Sequence, residues 1–109
     1  MVEASTIPAL VERAAERFGS REALVDADGA GADGREVRRL TFAELAAATD
    51  EAARAYVAHG LEAGDRVAIW APNSARWVVA ALGAYRAGGV SVVYPVARGS
   101  ILLFLPVLA

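Results

Sequence analysis

The chain contains no cysteine. That excludes disulfides, thiolate metal sites and a thiol nucleophile. It holds a single histidine, His59, which excludes a multi-histidine metal centre. Lysine is missing as well, because all 11 basic residues are arginine. A P-loop lysine, a Schiff-base lysine and a lysine general base are therefore excluded. The net charge is only −2, and a slightly acidic balance argues against non-specific nucleic-acid binding. At 56% hydrophobic and 22% charged residues, the composition does not suit a disordered chain. A length of 109 residues fits one small domain and not a multidomain enzyme. The opening MVEASTIPAL has no basic n-region and no long apolar run. No signal peptide is read there, and a cytoplasmic location is expected.

Element signals are plentiful. Thr6 is placed to cap a first helix, with Pro8 tolerated in its first turn and Gly19 at its end. Ile7, Leu10, Val11, Ala14 and Phe18 share one face of that helix. EALVDA at 22–27 and REVRRL at 35–40 read as two strands of a hairpin around the turn DGAGADG. Thr41 and Glu44 form a capping-box pair at the head of a long helix running to about His59, and Gly60 stops it. Its expected buried stripe is Phe42, Leu45, Ala46, Thr49, Ala53, Tyr56 and Val57. RVAIWA at 66–71 is nearly all apolar, the pattern of a strand covered on both faces. Pro72 breaks it, and Asn73 or Ser74 caps a third helix whose apolar side is Trp77, Val78, Ala81, Leu82 and Tyr85. After Gly88-Gly89, the run VSVVY at 90–94 completes a βαβ unit. The last nine residues, ILLFLPVLA, are apolar and too short to span a bilayer. They are either a buried strand or sequence foreign to the fold.

Several residues invite a chemical reading. Gly29, Gly31 and Gly34 spell G-x-G-x-x-G, but a dinucleotide site needs a helix directly after the last glycine, and a strand follows here. A loose hairpin loop is the expectation. Asp26, Asp28 and Asp33 fail the calcium-loop spacing because Ala30 occupies the third ligand position, which leaves a solvated loop. His59 suits the negative end of a helix dipole. Trp70, Trp77 and Tyr85 are expected between helix and sheet rather than as stacking platforms. Arg35, Arg38 and Arg39 are expected as solvated arginines on a hairpin edge. No catalytic, cofactor-binding or metal-ligating residue is therefore assigned.

From Leu40 to Val93 the pattern resembles the N-terminal part of the AMP-forming acyl-CoA synthetases, in the adenylate-forming superfamily. The residues that carry it are Leu40-Thr41-Phe42, Gly60, Gly64-Asp65-Arg66-Val67-Ala68, Pro72-Asn73-Ser74 with Trp77, and Ala87-Gly88-Gly89. Upstream, IPALVERAAERF and EALVD fit the same family's opening helix and strand, so the resemblance covers about residues 6 to 94. It implies an α/β, three-layer N-terminal subdomain, incomplete here, with a hairpin, three helices and a βαβ unit. It also implies ATP-dependent activation of a carboxylic or fatty acid to acyl-AMP and then acyl-CoA, with ATP, Mg and CoA serving the full-length enzyme. The family's phosphate-binding loop, adenine motif and C-terminal lysine lie outside the matched stretch, so no cofactor is expected on this chain alone.

Residues 1–94 are thus expected to form the N-terminal part of an AMP-binding domain, and 95–109 a divergent apolar tail. Truncation, a frameshift and read-through into foreign sequence are all open explanations of that tail. The isolated chain is expected to be inactive and marginally stable. Its implied partner is the remainder of an acyl-CoA synthetase. A complementing interaction module and a small membrane-surface protein are the alternatives. No nucleic-acid partner and no transmembrane segment are expected.

Overall fold

A computed structural model describes residues 5–26, 38–94 and 103–107, with side chains through residue 92. α1 (Ile7–Phe18) begins at Thr6, whose hydroxyl accepts from the Ala9 amide at 3.2 Å. β1 (Glu22–Asp26) and β2 (Arg38–Thr41) pair antiparallel as a two-stranded sheet. The expected turn at 28–34 lies outside the described residues. α2 (Phe42–Ala58) follows β2 without a gap. Thr41 ends the strand and caps the helix: its Oγ1 accepts from the Glu44 amide at 3.1 Å, and the Glu44 carboxylate accepts from the Thr41 amide at 3.0 Å. That hydrogen bonding holds the Glu44 carboxyl below its ordinary value.

α2 ends in a Schellman motif. The Gly60 amide donates to the Val57 carbonyl and the Leu61 amide to that of Tyr56, both at 3.0 Å. Gly60 takes φ +96°, which a side chain would resist. β3 (Arg66–Trp70), α3 (Ala75–Arg86) and β4 (Val90–Tyr94) form the βαβ unit, with β3 and β4 parallel. Ser74 caps α3 by accepting from the Trp77 amide at 3.1 Å. Gly88 and Gly89 repeat the Schellman pattern on Tyr85 and Ala84. β5 (Leu103–Val107) lies antiparallel on the other side of β3, giving the sheet order β4-β3-β5. The apolar tail therefore supplies a strand, and Pro106, opposite Val67, sits on an edge, where a missing amide is tolerated.

Val67, Ala68 and Ile69 are buried in succession, so the middle of β3 is covered on both faces while its ends, Arg66 and Trp70, are exposed. Leu61, Val67, Ile69, Ala80, Ala81 and Ala84 form one cluster, with Tyr56, Trp77 and Tyr85 packed against it.

Two helix faces differ from expectation. On α2, Leu45, Thr49 and Ala53 are buried, but Val57 is 58% exposed. Tyr56 packs against the core as expected, and Val57, one position further round the helix, falls outside the buried stripe. On α3 the buried residues are Ala75, Ala80, Ala81, Gly83 and Ala84, whereas Trp77, Val78, Leu82 and Tyr85 are only partly covered. The cause is close helix packing: a Cβ on Gly83 would stand 2.5 Å from that of Ala52. α1 buries no residue completely, and Ile7 and Leu10 are each 50% exposed. Arg86 of α3 ties the three helices together by pairing with Glu12 of α1 and Asp50 of α2. The Glu12 hydrogen bond first, then the charge of Asp50, raises its pKa further.

Candidate functional site

A groove of about 620 Å³ lies along α2 and α3. Ala52, Ala55, Tyr56 and His59 of α2 line it at i, i+3, i+4 and i+7, so one stripe of the helix faces it. Arg76, Val79 and Ala80 of α3 line it at i, i+3 and i+4. Leu61, Val67 and Arg38 complete the lining. The volume falls within the usual range of ligand sites, about 300–1,000 Å³.

Tyr56 is the polar group set deepest in this wall. Its hydroxyl donates to the Ala80 carbonyl at 3.0 Å and bridges the two helices. Burial pushes the phenol up to about 12, so it stays protonated at neutral pH and cannot act as a base there. His59 Nδ1 stands 2.8 Å from the Ala55 carbonyl, and its ring N–H can donate to that oxygen. This is the helix-end role expected for it, although the ring also borders the groove. Arg38 and Arg76 are exposed, and among the described residues neither enters an ion pair. Among the described residues, no aspartate or glutamate lines the groove. The described lining can hold an apolar body carrying negative charge, and among the described residues no nucleophile stands beside a base.

The residues singled out from the sequence are dispersed. Gly29, Gly31, Gly34, Asp28, Asp33 and Arg35 lie outside the described residues. Asp26 is not a solvated loop residue: it ends β1, and its Oδ2 accepts from the Ala75 amide at 2.9 Å, at the head of α3. Among the described residues, no cluster of His, Cys, Asp and Glu is arranged to hold a metal ion. Arg39 pairs with Glu22 at 2.8 Å across the hairpin, and both are largely solvated. Arg38 and Arg39 therefore part company, one at the groove and one on the edge.

Trp70 is 48% exposed, against the expectation that it packs between helix and sheet. Strand alternation explains this: Val67 and Ile69 face the helices, while Trp70 shares the opposite face with the much shorter Ala68. Trp77 and Tyr85 do pack against the core, and the Tyr85 hydroxyl lies 2.6 Å from Ser91 Oγ. The groove itself was missed at the sequence level. Its only signal is the i, i+3, i+4, i+7 recurrence on α2, which reads equally well as core.

A hairpin feeding a capped helix, followed by a βαβ unit, is the α/β architecture of the N-terminal subdomains of adenylate-forming enzymes. The chain matches the N-terminal subdomain of NpsA from Klebsiella oxytoca with a TM-score of 0.72 and 25% identity, covering 84% of this chain and 22% of that one. The family model described as AMP-binding enzyme matches residues 11–97. The chain belongs to the AMP-binding enzyme family.

Among curated relatives, the 3-[(3aS,4S,7aS)-7a-methyl-1,5-dioxo-octahydro-1H-inden-4-yl]propanoyl:CoA ligase of Rhodococcus jostii (strain RHA1) is 39% identical over 88 residues, which is 81% of this chain and 15% of that ligase. The mitochondrial medium-chain acyl-CoA ligase ACSF2 of Macaca fascicularis is 40% identical over 87 residues, 80% of this chain and 13% of that ligase. The chain thus spans about one seventh of the length of these relatives. No helix among the described residues is long and apolar enough to cross a membrane.

Proposed function

We propose that this chain is a scaffold portion of an AMP-forming acyl-CoA ligase and is inactive by itself. In the parent reaction a carboxylate attacks the α-phosphate of ATP, giving acyl-AMP and releasing pyrophosphate; the CoA thiol then displaces AMP. ATP, Mg and CoA belong to the whole enzyme in this reading. The observation that carries it is the disproportion in coverage: the match takes in 81% of the chain but only 15% of the Rhodococcus ligase. The chain's lack of lysine supports it, since nothing here can supply a lysine to a phosphate or an acyl-adenylate. The two relatives are nearly equally similar to the chain and are named for different acyl groups. This stretch therefore carries framework common to both, and the substrate is proposed only as a carboxylic acid.

The test is ATP–pyrophosphate exchange by the purified chain over a panel of aliphatic and polycyclic carboxylic acids. No exchange above the protein-free control is expected. Robust acid-dependent exchange would overturn the proposal.

A further inference from the structure

We infer that residues 103–107 form a built-in stop strand. β5 fills the second pairing edge of β3 from within the same chain, and Pro106 keeps the sheet from growing further on that side. This goes beyond the reading just given, because the strand lies outside the stretch that matches the family, 11–97.

The middle of β3 has the burial of an inner strand: Val67, Ala68 and Ile69 are covered in succession. Such a strand needs a neighbour on each edge as well as cover on each face, since its backbone N–H and C=O groups must be paired. Among the described residues of the matched stretch, β4 alone pairs with it. β5 supplies the second neighbour. Its antiparallel register spans the whole of β3, from Arg66 opposite Val107 to Trp70 opposite Leu103. Left open, that edge would present unpaired backbone groups along 67–70, a run with no charge and no proline. Edges of that kind recruit strands from other molecules.

The two sides of β5 are unlike. Successive amides of a strand point to opposite sides. A proline inside a sheet is tolerated where its missing N–H faces outward. Pro106 therefore leaves the inner ladder to the amides of Leu103, Leu105 and Val107, opposite Trp70, Ala68 and Arg66. Of the five residues of β5, Phe104 alone then turns an amide outward. The strand pairs inward and offers little to a further strand.

The full chain tests this, and its lack of cysteine makes engineered pairs unambiguous. Trp70→Cys with Leu103→Cys puts thiols on directly opposed residues, whose spacing a disulfide can bridge. Trp70→Cys with Val107→Cys puts them at opposite ends of β3. Oxidised glutathione should close a disulfide within one chain in the first pair and not in the second, read by non-reducing electrophoresis and mass spectrometry. A fluorescent peptide of residues 99–109 reports whether the edge is filled. By anisotropy the parent should leave it free, whereas Leu105→Pro, which removes an inner amide, should bind it. Pro106→Val restores an outward donor and should assemble several-fold faster than the parent in light scattering. The β4 edge is the same in both, so the difference reports β5.

Circular dichroism checks that α2 and α3 persist in Leu105→Pro; should they not, the thiol pairs and Pro106→Val still decide. The inference is overturned if the first pair stays reduced or links two chains, or if the second closes as readily. It is also overturned if folded Leu105→Pro takes up no more peptide than the parent, or if Pro106→Val assembles no faster. None of these readouts depends on pyrophosphate exchange, so the functional reading stands or falls separately.

Discussion

Tyr56 and Thr49 carry the clearest consequences at the residue scale. An unfolded tyrosine ionises near pH 10, whereas burial holds Tyr56 protonated until about 12. Between those values unfolding releases a proton, so the contribution of Tyr56 is complete below about pH 10 and falls as pH rises toward 12. Tyr56→Phe should remove this alkaline loss. It should also cost about 0.5–1.5 kcal/mol at neutral pH through the bond to Ala80. Urea midpoints of parent and variant, compared from neutral to strongly alkaline pH, test both effects; parallel curves would contradict the first. Thr49 is 2% exposed, and its hydroxyl has no hydrogen-bond partner among the described residues. Thr49→Val keeps the shape and discards the hydroxyl, so a gain of about 1 kcal/mol is expected from the same urea measurement. The burial of Thr49 was legible from the α2 stripe. The want of a partner was not, because that depends on what α2 meets.

At the scale of elements, ends were legible and faces only in part: Leu45, Thr49, Ala53 and Ala81 are buried as expected, but much of the α3 face is not. Thr41 with Glu44, Gly60 and Gly88 act through hydrogen bonds to chain neighbours, so the sequence states them locally. Which face of α3 is buried depends on how near α2 comes. Large residues such as Trp77 and Leu82 draw the eye, yet the contact with α2 is made through Ala80 and Gly83, because only short side chains permit such an approach. Gly83→Ala separates these influences. Helix propensity alone would make it stabilising by about 1 kcal/mol. The new methyl would instead press on Ala52, so a net loss of about 1–2 kcal/mol is expected from overpacking. Thermal or chemical denaturation gives the sign directly, and a stabilised variant would refute the close approach. β5 was half legible: its apolarity marked it as a strand candidate, but its place beside β3 is a pairing between distant stretches of chain. The groove was illegible for the same reason, being assembled from β2, α2 and α3.

Across the whole molecule, large apolar side chains remain in contact with water on several elements. Ile7, Leu10, Val25, Val57, Trp70 and Val90 all lie near half exposure, which is apolar area contributing little to folding. A thermal midpoint below the common range of about 45–65 °C is therefore expected for the isolated chain. Scanning calorimetry tests this, and a sharp transition above that range would contradict it. The two-stranded sheet is tied to the head of α3 across a long stretch of chain: the Asp26 carboxylate at the end of the hairpin accepts from the Ala75 amide, 49 residues away. Anyone recombining such ligases by exchanging hairpins would meet this bond first. A donor strand lacking an acceptor at that place would leave the recipient helix with a bare first amide, whereas any residue but proline at position 75 would still offer the N–H, so the acid must travel with the strand.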